Sequence, residues 1–178
     1  QGINVIQIKG RNMPVTVTPS VENEITLHYY TCEKDPYDVT LEGGVLKLEY
    51  RNKNLLIQDG WAFGQSIFNN QHPRIEVVVP QAYTGELQLD TSNATISASG
   101  FPALGDVRAD TSNGVANLSD LTAERLNVRT SNAAVNLSSL TAGHVSVNTS
   151  NGSVTLEKAI SSGSLTVDTS NASLTAKQ

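Results

Sequence analysis

A Thr-Ser-Asn triplet, whose hydroxyl and amide groups are of the kinds that hold ligands or close turns, recurs five times in the C-terminal half of the chain. It begins at Thr91, Thr111, Thr130, Thr149 and Thr169, at intervals of 20, 19, 19 and 20 residues. A catalytic or binding site needs one special constellation of side chains, whereas this triplet is present in five equivalent copies. We therefore interpret the triplet as architectural. The alternative is an outward hydroxyl row that binds ice or sugar, formed by Ser92, Ser112, Ser131, Ser150 and Ser170.

Three of the triplets are preceded by a carboxylate, at Asp90, Asp110 and Asp168. Carboxylate pairs perform acid–base chemistry in glycoside hydrolases, but Arg129 and Asn148 interrupt this series. No metalloprotease, nucleophile-elbow, P-loop or dinucleotide motif is present in the sequence. We predict a protein that is not an enzyme, without catalytic residues or cofactors. A carbohydrate-active β-helix enzyme is the alternative.

The histidines and the single cysteine do not form a metal-binding pattern. His28, His72 and His144 are far apart in sequence and have no clustered Cys, Asp or Glu partner, and Cys32 is alone. With 12 basic and 17 acidic residues, the chain has a net charge of −5 and no basic stripe for nucleic acid. It also has no run of 18 apolar residues that would span a membrane. We therefore predict no metal, no nucleic-acid partner and no membrane span within this chain.

An aromatic segment, residues 52–73, is the part of the chain most typical of a recognition loop. It is too long for a plain hairpin connection, and it gathers Trp61, Phe63 and Phe68 around two glycines. Exposed aromatic side chains of this kind contact sugar rings or partner proteins. The alternative is that the same side chains fold back as a lid on the domain.

The sequence around each Thr-Ser-Asn triplet predicts the strands that position its side chains. On both sides of each triplet, apolar residues alternate with polar ones, a pattern typical of half-buried strands. One strand pair cannot bury such a stripe alone, but stacked copies can. We predict an all-β fold, a single-stranded β-solenoid (β-helix) with about 19 to 20 residues per coil, in one domain that spans residues 1–178, with five regular repeats in residues 85–178. An apolar position that closes each coil is predicted at Leu121, Leu140 and Ile160, with Phe101 or Leu104 in the first repeat.

Continued through the triplet, the alternation predicts that Thr points inward, Ser outward and Asn inward at the corner. An Asn in a dry interior must satisfy its amide, and Asn side chains in the coils above and below can do so. We therefore predict an asparagine ladder of Asn93, Asn113, Asn132, Asn151 and Asn171, and a hydroxyl ladder of the five triplet threonines. Asn also tolerates the left-handed backbone, and the Gly or Ala that follows it leaves room for a corner. On the outer surface, Asp106 is expected to pair with Arg125, and Asp110 with Arg129.

The first half, residues 1–84, is also β but less regular. Its candidate strands form either the opening coils of the solenoid or a cap on it, and they cover residues 3–9, 14–19, 24–31, 38–42, 45–51 and 74–80. The last coil has no apparent lid over Leu165, Val167 and Leu174. Because open strand edges pair readily, self-association through this coil is a further hypothesis.

The strands VLKLEYR and RIEVVVP, followed by repeats of the form LxVxTSNGxVxL, resemble a bacterial adhesin family of unknown function. The resemblance implies an extracytoplasmic location, in the cell envelope or secreted, and a noncatalytic scaffold or adhesin-like binding role with a cell-surface glycan or protein as partner. A chain that begins at Gln1 is consistent with an upstream signal or anchor. This chain departs from the commonest form of that family in having Ala instead of Gly after Asn93, Asn132 and Asn171, and we therefore do not expect an obligatory positive φ at that position.

Overall fold

The computed structural model describes residues 2–30, 36–50 and 73–177, and this part of the chain consists of β-strands, turns and bends without a helix. The strands are β1 (Val5–Lys9), β2 (Val15–Ser20), β3 (Thr26–Tyr29), β4 (Tyr37–Glu42), β5 (Val45–Tyr50), β6 (Ile75–Pro80), β7 (Glu86–Thr91), β8 (Ile96–Thr111), β9 (Ala116–Thr130), β10 (Val135–Thr149), β11 (Val154–Thr169) and β12 (Leu174–Lys177). Trp61, Phe63, Phe68, His72 and Cys32 lie outside the described residues.

The repeats in the C-terminal half stack as parallel coils. Leu87 pairs with Val107, and Val107 with Leu126, so equivalent positions of successive repeats form columns. The inward columns are apolar and buried, whereas the residues between them face outward. Strands at the spacing of about 4.8 Å bury these side chains against the coils above and below. The predicted all-β solenoid is therefore confirmed.

Two corners of each coil differ in backbone conformation. At the Thr-Ser-Asn triplet the strand ends, and the backbone there does not adopt positive φ. At the other corner, strands β8 to β11 continue through one residue with positive φ in each coil: Gly100, Asp120, Ser139 and Lys158. These four residues form a single column by register. The prediction that Asn supplies a left-handed corner is wrong, because the left-handed residues lie at the opposite corner.

The apolar column that follows this second corner contains Phe101, Leu121 and Leu140, as predicted. The prediction for the next coil is wrong, because Leu140 pairs with Ala159, whereas Ile160 pairs with Thr141. The corner itself keeps the same length in every coil. The extra residue of each 20-residue repeat is taken up later, where the register shifts between Phe101 and Leu104 in one case and between Ala142 and His144 in the other.

The N-terminal strands form further coils, but their order in space differs from their order in sequence. β1 lies between β5 and β7 and is parallel to both, and β2 lies in the same way between β6 and β8. β4 pairs antiparallel with β5, and β3 antiparallel with β6, at the outer side of this coil. The strands of the first half therefore form opening coils of the solenoid, with the antiparallel strands β3 and β4 at their outer side.

The last coil leaves apolar side chains exposed. Leu165 and Leu174 are 47% and 51% exposed, whereas their column neighbours Val145 and Val154 are 2% and 0% exposed. Within the described ranges, β12 pairs with β11 alone. The apolar columns of the solenoid are therefore uncovered at this end.

Candidate functional site

The five triplet asparagines form a continuous ladder of side-chain amides. In each coil Nδ2 donates to Oδ1 of the preceding coil, at 2.7 Å from Asn113 to Asn93, 2.7 Å from Asn132 to Asn113 and 2.8 Å from Asn151 to Asn132. Asn171 continues the ladder at 3.0 Å. The predicted ladder is confirmed, but its predicted position in a dry interior is wrong, because all five asparagines are exposed. Strand alternation does not continue through the bend at residues 112–114, so it does not predict which way Asn113 points.

The ladder has a sixth member, Asn12, which the triplet repeats do not predict. Asn93 donates from Nδ2 to Oδ1 of Asn12 at 2.7 Å, across a sequence separation of 81 residues. The same separation relates Val5 to Glu86 before the corner and Val15 to Ile96 after it. An alignment of residues 5–17 with residues 86–98 contains this signal, because Asn12 falls at the position of the triplet asparagine.

The triplet threonines point inward as predicted, but they do not form a hydroxyl ladder. Thr91, Thr111, Thr130 and Thr149 are buried. The backbone N–H of the residue three positions later donates to Oγ1, at 3.0 Å for Thr111, 3.3 Å for Thr130 and 3.0 Å for Thr149. These three hydroxyls therefore accept a bond within their own corner, whereas Thr91 Oγ1 donates to the carbonyl oxygen of Arg11 in the neighbouring coil at 2.7 Å.

The residue after each asparagine alternates between Ala and Gly for a steric reason. A Cβ placed on Gly114 would lie 1.7 Å from the carbonyl oxygen of Ala94, and one on Gly152 would lie 1.8 Å from the carbonyl oxygen of Ala133. Neither glycine has positive φ. The close approach of the preceding coil, rather than backbone conformation, therefore requires glycine at these two positions.

The outer surface of the coils carries charged residues in register. Arg125 forms the predicted ion pair with Asp106, with Nε to Oδ1 at 2.8 Å. Asp110 is adjacent to Arg129 as predicted, yet its hydrogen bond comes from Nε of Arg108, at 2.6 Å. Arg108 lies two residues before Asp110 on the same strand face, so this pair forms within one strand.

The predicted series of carboxylates forms an outward column that begins on the N-terminal strand. In order of register it contains Lys9, Asp90, Asp110, Arg129, Asn148 and Asp168. Asp90 and Asp110 are direct neighbours, whereas Arg129 and Asn148 separate them from Asp168. The structure therefore brings together two of the three aspartates.

A polar depression of about 310 Å³ surrounds these two aspartates. It spans β1, β7 and β8, where the inserted N-terminal strand meets the first regular repeat, and its polar side chains are those of Gln7, Lys9, Gln88, Asp90, Arg108 and Asp110. Gln7 donates from Nε2 to Oε1 of Gln88 at 3.1 Å. This concave group of amides, cations and carboxylates is the candidate functional site, and we refer to it as the β1–β7–β8 depression.

The charges in the depression are not equally satisfied. Lys9 lies 3.6 Å from Glu49, and Arg108 bonds Asp110. Within the described part of the chain, the Asp90 carboxylate has no hydrogen bond or ion pair. Partial burial and the adjacent Asp110 raise the pKa of Asp90, against the opposite effect of Lys9 and Arg108. Asp90 is therefore the carboxylate available to a ligand.

The other candidate residues do not join this site. His28 lies on β3, and His144 is exposed on β10, 3.0 Å from Ser164 Oγ. Among the described residues, no group of three or more His, Cys, Asp or Glu side chains is placed to hold a metal ion. No helix in residues 2–30, 36–50 and 73–177 is long and apolar enough to cross a membrane.

Comparison with known proteins gives one match. A family model described as Toastrack DUF4097 matches residues 3–178. No curated protein and no solved structure matches the chain.

Proposed function

The chain belongs to the Toastrack DUF4097 family, a domain family of unknown function, and from this premise we propose that it is a noncatalytic scaffold or adhesin-like binding module of the cell envelope. The observation that carries the proposal is the ladder of exposed amides that braces one edge of every coil from Asn12 to Asn171. A ladder of this kind holds the outward columns in fixed register. The protein therefore presents a preorganised polar wall.

A wall of this kind favours many weak polar contacts with an extended partner. Preorganised side chains lose little conformational entropy when they bind. Linked contacts also reinforce one another, because each later contact is intramolecular. An extended glycan or protein on a cell surface offers repeated groups of this kind. The resemblance of the repeats to a bacterial adhesin family supports the location in the envelope.

One experiment separates binding from catalysis. Purified protein is mixed with isolated bacterial envelopes and with purified cell-wall polysaccharide, and sedimented protein and released reducing ends are measured in the same tubes. We expect co-sedimentation without release of reducing ends. Release that is abolished by Asp110→Asn would instead support the carbohydrate-active enzyme. Failure to sediment with either material would contradict the binding function.

A second candidate function, self-association, is supported by the exposed leucines of the last coil. Leu165 and Leu174 are about half exposed at positions that are buried in the inner coils. The opposite end of the solenoid bears the antiparallel strands β3 and β4. Two copies would therefore meet through their C-terminal coils, about a twofold axis.

Sedimentation velocity over a range of concentrations tests this candidate. We expect a concentration-dependent dimer that is lost in the variant with Leu165→Ser and Leu174→Ser together. The matched control is Leu41→Ser, which changes a leucine that is 41% exposed on β4. A monomer at all concentrations, or equal dissociation by the control, would contradict self-association.

A further inference from the structure

The β1–β7–β8 depression differs from the rest of the polar wall in one respect. Asp90 and Asp110 are the only directly adjacent like charges in the column that runs from Lys9 to Asp168. Like charges at directly opposed positions destabilise a sheet. Asn148 occupies the same column two coils further, so the fold accommodates a neutral side chain there. A ligand therefore explains this pair of carboxylates better than stability does.

The charges of the depression disfavour strongly charged ligands. Its two cations, Lys9 and Arg108, balance its two carboxylates, Asp90 and Asp110. A polyanion would face the two aspartates, and a polycation would face Lys9 and Arg108. A neutral ligand avoids both repulsions.

The hydrogen-bonding groups define the ligand further. An ionised carboxylate only accepts hydrogen bonds, and bonds to such a group are roughly twice as strong as those between neutral groups. Asp90 has both oxygens free of hydrogen bonds within the described residues, and Oδ1 of Asp110 is buried there without a partner. Gln7 and Gln88 each add amide groups beside them. The matching ligand offers several hydroxyl donors close together.

We propose that the β1–β7–β8 depression binds a neutral, hydroxyl-rich glycan, whose hydroxyl groups donate to the Asp90 carboxylate while Gln7 and Gln88 bond a neighbouring part of the same chain. This inference rests on the binding-module function proposed above and assigns its ligand class and location. A depression of about 310 Å³ holds only a short part of such a chain, so the polymer continues across the polar wall.

Titration with defined oligosaccharides tests the proposal. The neutral probes are cellohexaose, maltohexaose and mannohexaose, and the charged probes are hexagalacturonate and a chitosan hexamer. We expect calorimetry or NMR titration to show binding of at least one neutral probe and weaker binding of both charged probes. Binding of charged probes alone would overturn the ligand class, while the proposed binding function would stand.

Two variants test the location. Asp90→Ala removes the unpaired carboxylate of an exposed residue, and Asp168→Ala removes an exposed carboxylate of the same column far from the depression. We expect Asp90→Ala to weaken binding at least tenfold and Asp168→Ala to weaken it by less than twofold. Equal effects of the two variants would overturn the site but not the binding function.

A spectroscopic readout separates a direct role of the depression from a change elsewhere. The side-chain amide signals of Gln7 and Gln88 should shift as a neutral probe is added, whereas that of Asn136, which bonds Asn117 on the other side of the triplet corner, should not. Unmoved glutamine signals during binding would overturn the proposal. Absence of binding by every probe would also overturn it, and the co-sedimentation experiment then decides separately whether the protein binds envelopes.

Discussion

Nδ2 of Asn132 donates to Oδ1 of Asn113 at 2.7 Å although both residues are exposed. Asn132 also accepts a hydrogen bond from Asn151, so it has one ladder partner on each side. When a ladder bond between exposed amides breaks, both amides can form hydrogen bonds to water instead, so the loss of free energy is small. The ladder therefore contributes to stability mainly by fixing the register of the corners, and each bond contributes less than a buried one would.

Asn132→Ala is expected to destabilise the protein more than Asn171→Ala. The first change removes two ladder bonds, and the second removes the single bond to Asn151. With a net contribution of about 0.5 kcal/mol per exposed bond, we expect losses of about 1 and 0.5 kcal/mol. Urea unfolding of the two variants measures the difference. Equal and negligible losses would show that the ladder does not stabilise the fold.

Gly114→Ala is expected to destabilise the protein by about 1 to 3 kcal/mol. The new Cβ would lie 1.7 Å from the carbonyl oxygen of Ala94, and backbone must move to admit it. Gly105→Ala is the matched control, because its Cβ would meet no atom closer than 3.4 Å. Thermal unfolding of both variants is the measurement. Tolerance of Gly114→Ala at wild-type stability would contradict the close stacking at this corner.

Ser139→Gly is expected to stabilise the protein by about 0.5 to 1 kcal/mol, because relief of the left-handed backbone exceeds the conformational entropy that glycine loses on folding. Ser139 has a φ of 51°, a left-handed conformation that costs a residue with a side chain more than it costs glycine. Ser138→Gly, at the preceding position without positive φ, should instead destabilise by about 0.5 to 1 kcal/mol. Urea midpoints of the two variants report the sign of each change. A loss of stability in Ser139→Gly would contradict the strain at this corner.

Asp90→Asn is expected to raise stability at neutral pH. Partial burial and Asp110 raise the pKa of Asp90 in the folded protein, so the folded state binds this proton more tightly than the unfolded chain does. The ionised carboxylate therefore destabilises the fold above its folded-state pKa, and this penalty disappears as the pH falls below the ordinary value of 3.8.

Melting temperatures of the wild type and Asp90→Asn between pH 3 and pH 7 check this prediction. The gain should be present at pH 7 and shrink toward zero in acid. Asp168→Asn is the control, since its neighbour in the preceding coil is the neutral Asn148. A gain that is independent of pH, or equal in the control, would count against repulsion between Asp90 and Asp110.

The repeats predict the coils and their columns because two independent periods agree. Alternation over two residues identifies the buried face, and recurrence after 19 or 20 residues places Val107 beside Leu126. These periods do not extend through a bend. For that reason they do not predict that Asn113 is exposed, or that the Thr111 hydroxyl bonds backbone groups instead of other threonine hydroxyls. The outward pairing of Asp106 with Arg125 was predicted correctly, because it depends on register alone.

The candidate site was predictable only in part. The shared column of Asp90 and Asp110 follows from the register of the repeats. The depression also requires Gln7 and Lys9, which reach it because β1 is inserted beside β7. Pairing between segments about 80 residues apart leaves no local pattern. In the sequence, this pairing is visible in the alignment of residues 5–17 with residues 86–98, which places Asn12 at the position of Asn93.

The position of β1 and β2 also affects how the protein can be assembled during synthesis. Both strands are synthesised before their lateral neighbours, which are β5 and β6 on one side and β7 and β8 on the other. They have lateral partners on both sides only after translation has passed residue 98. Nascent chains shorter than this would expose Ile6, Ile8, Val15 and Val17, which makes the early translation product the form in greatest need of a chaperone.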